Sequence, residues 1–273
     1  MRIGLLQLTS SDNPGENLAR TIALIRHGAS KGARFIATPE VTNCVSTSRT
    51  HQTAVLQTEG EDRHLEELCG LARSLGIWLS IGSLALKSGD RFVNRSFMID
   101  PRGEVIARYD KIHMFDVEIS PDETYRESDA YTAGDRAVMV PVEEAKIGLS
   151  ICYDLRFPQL YRALAQAGAT VLLVPAAFSA VTGEAHWHTL LRARAIETGC
   201  FIVAAAQVGT HPATRGKSRQ TYGHSLVVNP WGEIISDAGT EPRLTIVDLD
   251  LSEVDKARQR IPSLSHDRDF EGP

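Results

Sequence analysis

The chain has 273 residues, 42% of them hydrophobic and 23% charged, with 29 Lys+Arg against 34 Asp+Glu and a net charge of −5. This length suits one large domain or two small ones, and the composition is that of a soluble globular chain, not a disordered, collagenous or coiled-coil one. A mildly acidic chain is a poor general binder of phosphate backbones, so no nucleic-acid partner is expected. No apolar run approaches the ~18–20 residues of a membrane helix, so no membrane partner is expected either.

The N-terminus, MRIGLLQLTS, lacks the longer apolar region and cleavage site of a signal peptide and reads as a strand, Arg2–Leu8. Asn13-Pro14 opens a helix with Leu18, Ile22 and Ile25 on one face. Arg34–Thr38 is a short strand ending at Pro39-Glu40, and Glu61–Leu75 is a helix stopped by Gly76. Ile77–Leu86, Phe92–Asp100 and Glu104–Tyr109 read as strands, the last two joined by an Asp-Pro-Arg-Gly turn. Residues 110–137 are polar and irregular, and a loop of that length in a compact fold is usually functional or disordered. Beyond it come a strand at Lys146–Ile151, a helix at Phe157–Ala167, a strand at Thr170–Val174, a helix at Glu184–Thr198 and a strand at Phe201–Ala206. Strands at Gly223–Asn229, Glu233–Ser236 and Leu244–Asp250 follow, then a helix at Ser252–Arg260 capped by Ser252. No linker or low-complexity tract interrupts the pattern, which predicts a single domain over residues 1–273.

SFMIDPRGEVIA, from Ser96 to Ala107, is similar to SLVVNPWGEIIS, from Ser225 to Ser236. Both read strand, Asp/Asn-Pro-x-Gly-Glu turn, strand. Two similar halves would pack sheet on sheet with helices outside. Two unrelated hairpins that chose the same turn chemistry would look the same.

The cysteines are Cys44, Cys69, Cys152 and Cys200, none in a CxxC pair; without a secretion signal they read as reduced thiols in the cytoplasm. Cys152 differs from the other three, which read as buried inert thiols. An apolar strand ends at Ile151, and polar Tyr153-Asp154-Leu155-Arg156 leads into a helix. A nucleophile at such a turn projects from the sheet edge, beside N–H groups available to an oxyanion. Glu40, aimed by Pro39, is a general-base candidate, although such a residue is more often a solvated loop carboxylate. Lys111, just after a strand, reads by itself as a surface charge. A Cys-His dyad using His113 or His224 is also open on spacing alone. Arg215-Gly216-Lys217-Ser218 has the wrong glycine spacing and context for a phosphate-binding P-loop. His186 and His188, two apart on a helix, do not share a face, so no catalytic metal and no cofactor are expected.

Taken together, TPE around Glu40, YDKIHMFD around Lys111 and CYDLRFP around Cys152 resemble the signature segments of the nitrilase superfamily of carbon–nitrogen hydrolases, and the resemblance runs from residue 1 to about 265. It implies an α/β fold of the four-layer αββα sandwich type. It also implies Glu40 as general base, Lys111 as oxyanion stabiliser and Cys152 as nucleophile, and a second glutamate at Glu127, in Tyr125-Arg126-Glu127-Ser128 before Gly134-Asp135. The N–H of Tyr153 is the second oxyanion donor. Arg156 reads as a structural ion-pair former, and Gln159 stands where the subgroup often has Glu. Thr182–Gln207 and Tyr222–Glu233 are similar to the Nit-type amidases that act on deaminated glutathione; a neighbouring branch acts on 2-oxoglutaramate. Nitrilase, carbamoylase and catalytically dead scaffold are the alternatives, the last opposed by the intact Glu40, Lys111 and Cys152. A substrate with carboxylates at both ends would need cations, and Arg215, Lys217 and Arg219 in the loop Gly209–Gln220 are the candidates. The resemblance also implies a homodimer or larger assembly through Phe157–Ala167 and Glu184–Thr198, the latter carrying Trp187, Leu190, Leu191 and Ile196.

Overall fold

A computed structural model describes residues 1–120 and 123–272 of the chain. The first half runs β1 (Arg2–Gln7), α1 (Pro14–Ser30), β2 (Phe35–Ala37), α2 (Arg49–Val55), α3 (Arg63–Leu75), β3 (Trp78–Ser88), β4 (Arg91–Ile99) and β5 (Val105–Asp110). A small hairpin follows, β6 (Asp116–Ser120) with β7 (Glu123–Arg126). The second half runs β8 (Met139–Val142), β9 (Ala145–Leu149), α4 (Pro158–Gln166), β10 (Val171–Leu173), α5 (Ala180–Thr198) and β11 (Phe201–Ala204). It ends with β12 (Val208–His211), β13 (Arg219–Tyr222), β14 (Leu226–Val228), β15 (Ile234–Asp237), β16 (Arg243–Asp248) and α6 (Ser252–Arg260).

Two six-stranded sheets result, ordered β16-β1-β2-β3-β4-β5 and β15-β14-β11-β10-β9-β8. They are built alike. In each, three parallel strands (β1, β2, β3; β9, β10, β11) are extended by two antiparallel ones, and a further strand pairs antiparallel with the first. The repeated turn is also built twice. Asp100 Oδ1 accepts the N–H groups of Arg102 and Glu104 at 2.9 and 3.0 Å, and Asn229 Oδ1 accepts those of Trp231 and Glu233 at 3.0 and 2.9 Å. Gly103 and Gly232 supply the positive φ, 78° and 88°. The duplication read from SFMIDPRGEVIA and SLVVNPWGEIIS is therefore a property of the whole topology.

Strand alternation divides the core into layers. Ile3, Leu5, Phe35 and Ala37 point to the second sheet and share a core with Ile147, Leu149 and Val171. Their neighbours Leu6 and Ile36 point the other way, onto Leu18, Ile25, Leu65 and Leu68 of α1 and α3. Leu160, Leu164, Trp187 and Leu191 cover the outer face of the second sheet, completing an αββα sandwich. No helix among the described residues is long and apolar enough to cross a membrane.

Several local expectations fail for identifiable reasons. Part of the segment 110–137 forms the β6–β7 hairpin, although residues 121 and 122 lie outside the description. Helix α5 begins at Ala180, four residues before the predicted start. Gly183, one residue before the predicted start, lies inside the helix, where a Cβ would come within 2.4 Å of Tyr222. Ser252 is not the cap of α6; Leu251 holds that position, and the Asp250 carboxylate accepts from the backbone N–H of Ser252 at 3.1 Å. Trp187 and Leu191 are fully buried core residues rather than spare apolar surface; of that set only Ile196 stands exposed.

Candidate active site

Each of the three signature segments ends or follows a strand at one edge of the sandwich, and the fold brings their polar side chains into one buried cluster. Glu40 leaves β2 through Pro39 and is 4% exposed. Lys111 follows β5 and is 2% exposed. Its ammonium donates to Glu40 Oε1 at 2.9 Å and to Glu127 Oε2 at 2.9 Å. The other Glu40 oxygen accepts the backbone N–H of Ala177 at 2.8 Å, so a group from the second half holds the carboxylate of the first. Asn94, on β4, donates to Glu40 Oε1 at 2.9 Å and to Glu127 Oε1 at 3.4 Å. Phe115 N–H donates to Glu127 Oε2 at 2.7 Å.

Cys152 sits at the first position of a 3-10 turn, Cys152–Arg156, with φ +47°, a left-handed conformation that disfavours any side chain. Two bonds hold it there. Its own N–H donates to Pro175 O at 2.9 Å, and Ile151 N–H donates to Asp154 Oδ2 at 2.9 Å. Tyr153, next in the chain, lines the cavity beside the thiol. The first N–H groups of such a turn have no partner inside it.

Burial and charge compete at each group. Burial pulls the Glu40 carboxyl upward, but the Lys111 and Arg219 cations and the hydrogen bonds it accepts hold it below its ordinary value. Burial opposes the Lys111 charge, yet Glu127 and Glu40 raise it well above the usual lysine range. Burial, the Glu40 charge and a hydrogen bond to Glu40 push the Cys152 thiol well above its ordinary value, with Lys111 acting against them. The resting site is therefore a protonated thiol beside an ionised carboxylate.

The cavity above this cluster measures about 760 Å³. Lys217 and Arg219 line it, together with Arg49 and Arg126. Arg215 does not: its segment folds back on buried Asp12, which accepts the N–H and hydroxyl of Thr214 at 2.6 and 2.7 Å. Arg219 donates to Ala177 O at 2.5 Å and lies over the Tyr125 ring at 5.4 Å, while its buried Nε has no hydrogen-bond partner among the described residues. The β12–β13 hairpin aims it inward, because alternate residues of a strand face opposite sides.

Four sequence readings change. His113 is committed elsewhere: its Nδ1 meets Asp154 Oδ1 at 2.7 Å and its ring stacks on Phe157 at 3.5 Å, while His224 is engaged by Asp237. Neither histidine is paired with the thiol. Arg156 forms no ion pair among the described residues and instead lies over the Phe178 and Tyr153 rings at 5.4 and 5.9 Å. Cys44 lines the cavity wall, with its thiol pushed up to about 12 by burial and by Asp12. Asp154 and Asn94 carry the site yet went unread. Asp154, fully buried, also accepts the Tyr109 hydroxyl at 2.6 Å, tying the thiol turn to the strand before Lys111. Its position in CYDLRFP, two residues after the thiol, was the available signal.

The chain matches the carbon-nitrogen hydrolase family over residues 2–259. It belongs to that family. Among sequences, the hydrolase is 39% identical over 270 residues to the deaminated glutathione amidase of Yersinia enterocolitica, covering 97% of this chain and 92% of that protein. Among solved structures it resembles the C. elegans NitFhit protein, with a TM-score of 0.89 and 36% identity, over 98% of this chain and 65% of that one. It also resembles an amidase of Nesterenkonia sp. AN1, solved with the acetamide moiety of fluoroacetamide added covalently at its active site cysteine. There the TM-score is 0.79 and the identity 29%, over 95% of this chain and 94% of that one.

The Lys111 ammonium is the only cation in direct contact with Glu40 and Glu127 among the described residues. Removing its charge as Lys111→Met leaves a buried and a half-buried carboxylate facing each other, a loss of about 3–5 kcal/mol. The pH dependence should also invert. In the native protein the Glu40 carboxyl lies below its ordinary 4.5, so its contribution is present above pH 4.5 and is lost as pH falls through the lower folded value. In Lys111→Met a carboxyl must take up a proton, so stability should fall as pH rises from about 5 to about 8. Urea midpoints across that range would expose an unchanged slope, which would sink the account.

Proposed function

We propose that the hydrolase cleaves a small amide bearing carboxylates, most closely deaminated glutathione, releasing 2-oxoglutarate and cysteinylglycine through a thioester on Cys152. The observation that carries this reading is the Glu40, Lys111 and Cys152 cluster at the base of a cavity that Arg49, Lys217 and Arg219 also line.

In the proposed mechanism Glu40 takes the thiol proton as sulfur attacks the amide carbon. The developing oxyanion is held by the Lys111 ammonium and the N–H of Tyr153, donors of a kind worth ~3–4 kcal/mol each. Glu40 returns the proton to the leaving amine, and the acyl group remains as a thioester. Water then attacks, giving its proton to Glu40, and the carboxylic acid departs as the thiol is restored. Glu127 positions Lys111: its two oxygens hold the ammonium in place while Glu40 changes protonation state. The acetamide moiety joined to the active site cysteine of a Nesterenkonia amidase variant is an adduct that keeps its amide, so it supports a nucleophilic thiol at this place rather than the thioester itself.

Arg219 is assigned to the carboxylate of the acyl portion, because its charge is felt by both Glu40 and Cys152. Lys217, Arg49 and Arg126 suit the carboxylate of the leaving dipeptide. A cavity of about 760 Å³ has room for a peptide-sized ligand and is larger than 2-oxoglutaramate alone requires, which favours the first substrate over the second. The two halves share the site, so residues 1–273 are read as one catalytic domain, and four unpaired thiols fit a cytoplasmic enzyme.

We also infer a homodimer. Ile196 on α5 is 55% exposed, and its side chain adjoins Gly232 in the turn that bears exposed Trp231. A patch of that kind on a soluble protein marks an association surface. Sedimentation at micromolar concentration should give twice the chain mass; a monomer would exclude it.

Two measurements test the chemistry. Cys152→Ala should abolish turnover of deaminated glutathione in a protein that still folds, and Glu40→Gln should lower it by about 10²–10⁴. Activity retained by a clean Cys152→Ala preparation would refute the nucleophile. Arg219→Met should raise KM for an anionic amide about 10- to 100-fold, from the ~1.5–3 kcal/mol of a charged hydrogen bond, with little change for a neutral amide. Equal losses on both substrates would mean that Arg219 acts through folding of the β12–β13 hairpin.

A further inference from the structure

We propose that His188, His224 and Asp237 form a site for a divalent transition metal of the Zn2+ type, which fastens helix α5 to the strands behind the cavity wall. The three residues come from separate elements. His188 lies in α5, His224 between β13 and β14, and Asp237 ends β15. His188 Nε2 lies 3.0 Å from Asp237 Oδ2, His224 Nδ1 lies 2.9 Å from Asp237 Oδ1, and the three ligand atoms all fall within 4.8 Å of one another. Bonds of about 2.0–2.1 Å in a tetrahedron set ligand atoms roughly 3.3 Å apart, which the two imidazole–carboxylate distances already approach and to which the two rings would close around the ion.

The pairing that fails on the helix is thus replaced by one the fold supplies. His186 turns to Arg156, at 3.3 Å, while His188 turns to the strands. The donors are also held in place. Trp187, fully buried, donates its indole N–H to His224 O at 2.8 Å. The His224 ring stacks on Tyr222 at 4.5 Å, and Gly239 N–H fixes Asp237 Oδ1 at 2.8 Å. His224 itself sits at φ +53°, a conformation a side chain adopts only when its surroundings impose it. Such outer contacts orient metal ligands and set their affinity.

Two imidazoles with one carboxylate match zinc and its neighbours rather than magnesium or calcium, which prefer all-oxygen shells. As the ion binds, it replaces the protons through which both rings meet Asp237, and water completes the shell. None of the three residues lines the cavity, but both elements they join do so: α5 through Ala180 and Val181, and β13 through Arg219. An ion here would lock the far side of that wall, and by binding only the folded chain it would stabilise it.

The test uses the full chain as Cys152→Ala, so that the cavity thiol does not compete for metal, freed of metal by chelation and titrated with Zn2+ by calorimetry. One equivalent per chain should bind and raise the unfolding temperature, and Co2+ in its place should give the visible bands of a four-coordinate site. His188→Gln and Asp237→Asn should each weaken binding at least about 100-fold, while His186→Gln should leave it unchanged. The absence of stoichiometric binding, or binding that survives both His188→Gln and Asp237→Asn, would overturn the proposal.

Discussion

A buried ammonium between one buried and one half-buried carboxylate organises this molecule. Taking Lys111, Glu40 and Glu127 out of water costs several kcal/mol per ion, and only close, multiply bonded geometry returns it. That geometry sets demands on the rest of the chain. Lys111 must leave β5 at a fixed point, which Asn94 O ensures by accepting its backbone N–H at 3.0 Å. Glu127 must reach back past the β6–β7 hairpin, and Glu40 needs an N–H that its own half does not provide. Burial first, and then the Glu40 charge, push the neighbouring thiol well above its ordinary value.

The doubled topology answers those demands. Pro39 follows β2 and Pro175 follows β10, at equivalent places in the two sheets. The first aims Glu40; the second accepts the Cys152 N–H and is followed by Ala177, whose N–H returns to Glu40. Gln207 adds a stitch, accepting from Ser10 N–H at 3.1 Å and donating to Glu40 O at 3.0 Å. The halves approach so closely that a Cβ on Gly82 would fall 2.0 Å from Thr38 O and 2.5 Å from Pro175. A site assembled across a pseudo-symmetric seam needs that contact, because neither half holds both Glu40 and Cys152.

Most strands and five of the six helices were legible in the sequence, since apolar periodicity reports burial on one face. Asn13 and Gly76 marked helix ends because caps act locally: Asn13 Oδ1 accepts from Gly15 N–H at 3.0 Å, and Gly76 takes the left-handed φ of 63°. What stayed hidden depends on partners distant in the chain. The first turn of α5 is closed against Tyr222, about forty residues on, and β12 and β13 are too short and polar for a periodic signal. The site divides likewise. Glu40, Lys111, Glu127 and Cys152 entered through motif resemblance, because 112 residues of chain separate Glu40 from Cys152 and no spacing rule spans that distance. Lys217 and Arg219 reach the cavity, whereas Arg215 is diverted by Asp12, which no local pattern near the loop could reveal.

The resting charge state bears on selectivity. A cysteine beside a lone cation would be a standing thiolate, open to any electrophile or oxidant that reached it. Here burial and Glu40 outweigh Lys111 and hold the thiol well above its ordinary value, so in the proposed mechanism it keeps its proton until an acceptor for negative charge is in place. A bound amide supplies that acceptor. As its oxygen gathers charge, the Lys111 ammonium is drawn toward it, its hold on Glu40 weakens, and the carboxylate becomes a stronger base at the moment the proton must move. Coupling base strength to oxyanion formation through one shared ammonium makes the nucleophile depend on its substrate. It also explains why a second carboxylate is useful: with Glu127 anchoring Lys111, the ammonium can shift its bonding without leaving the site.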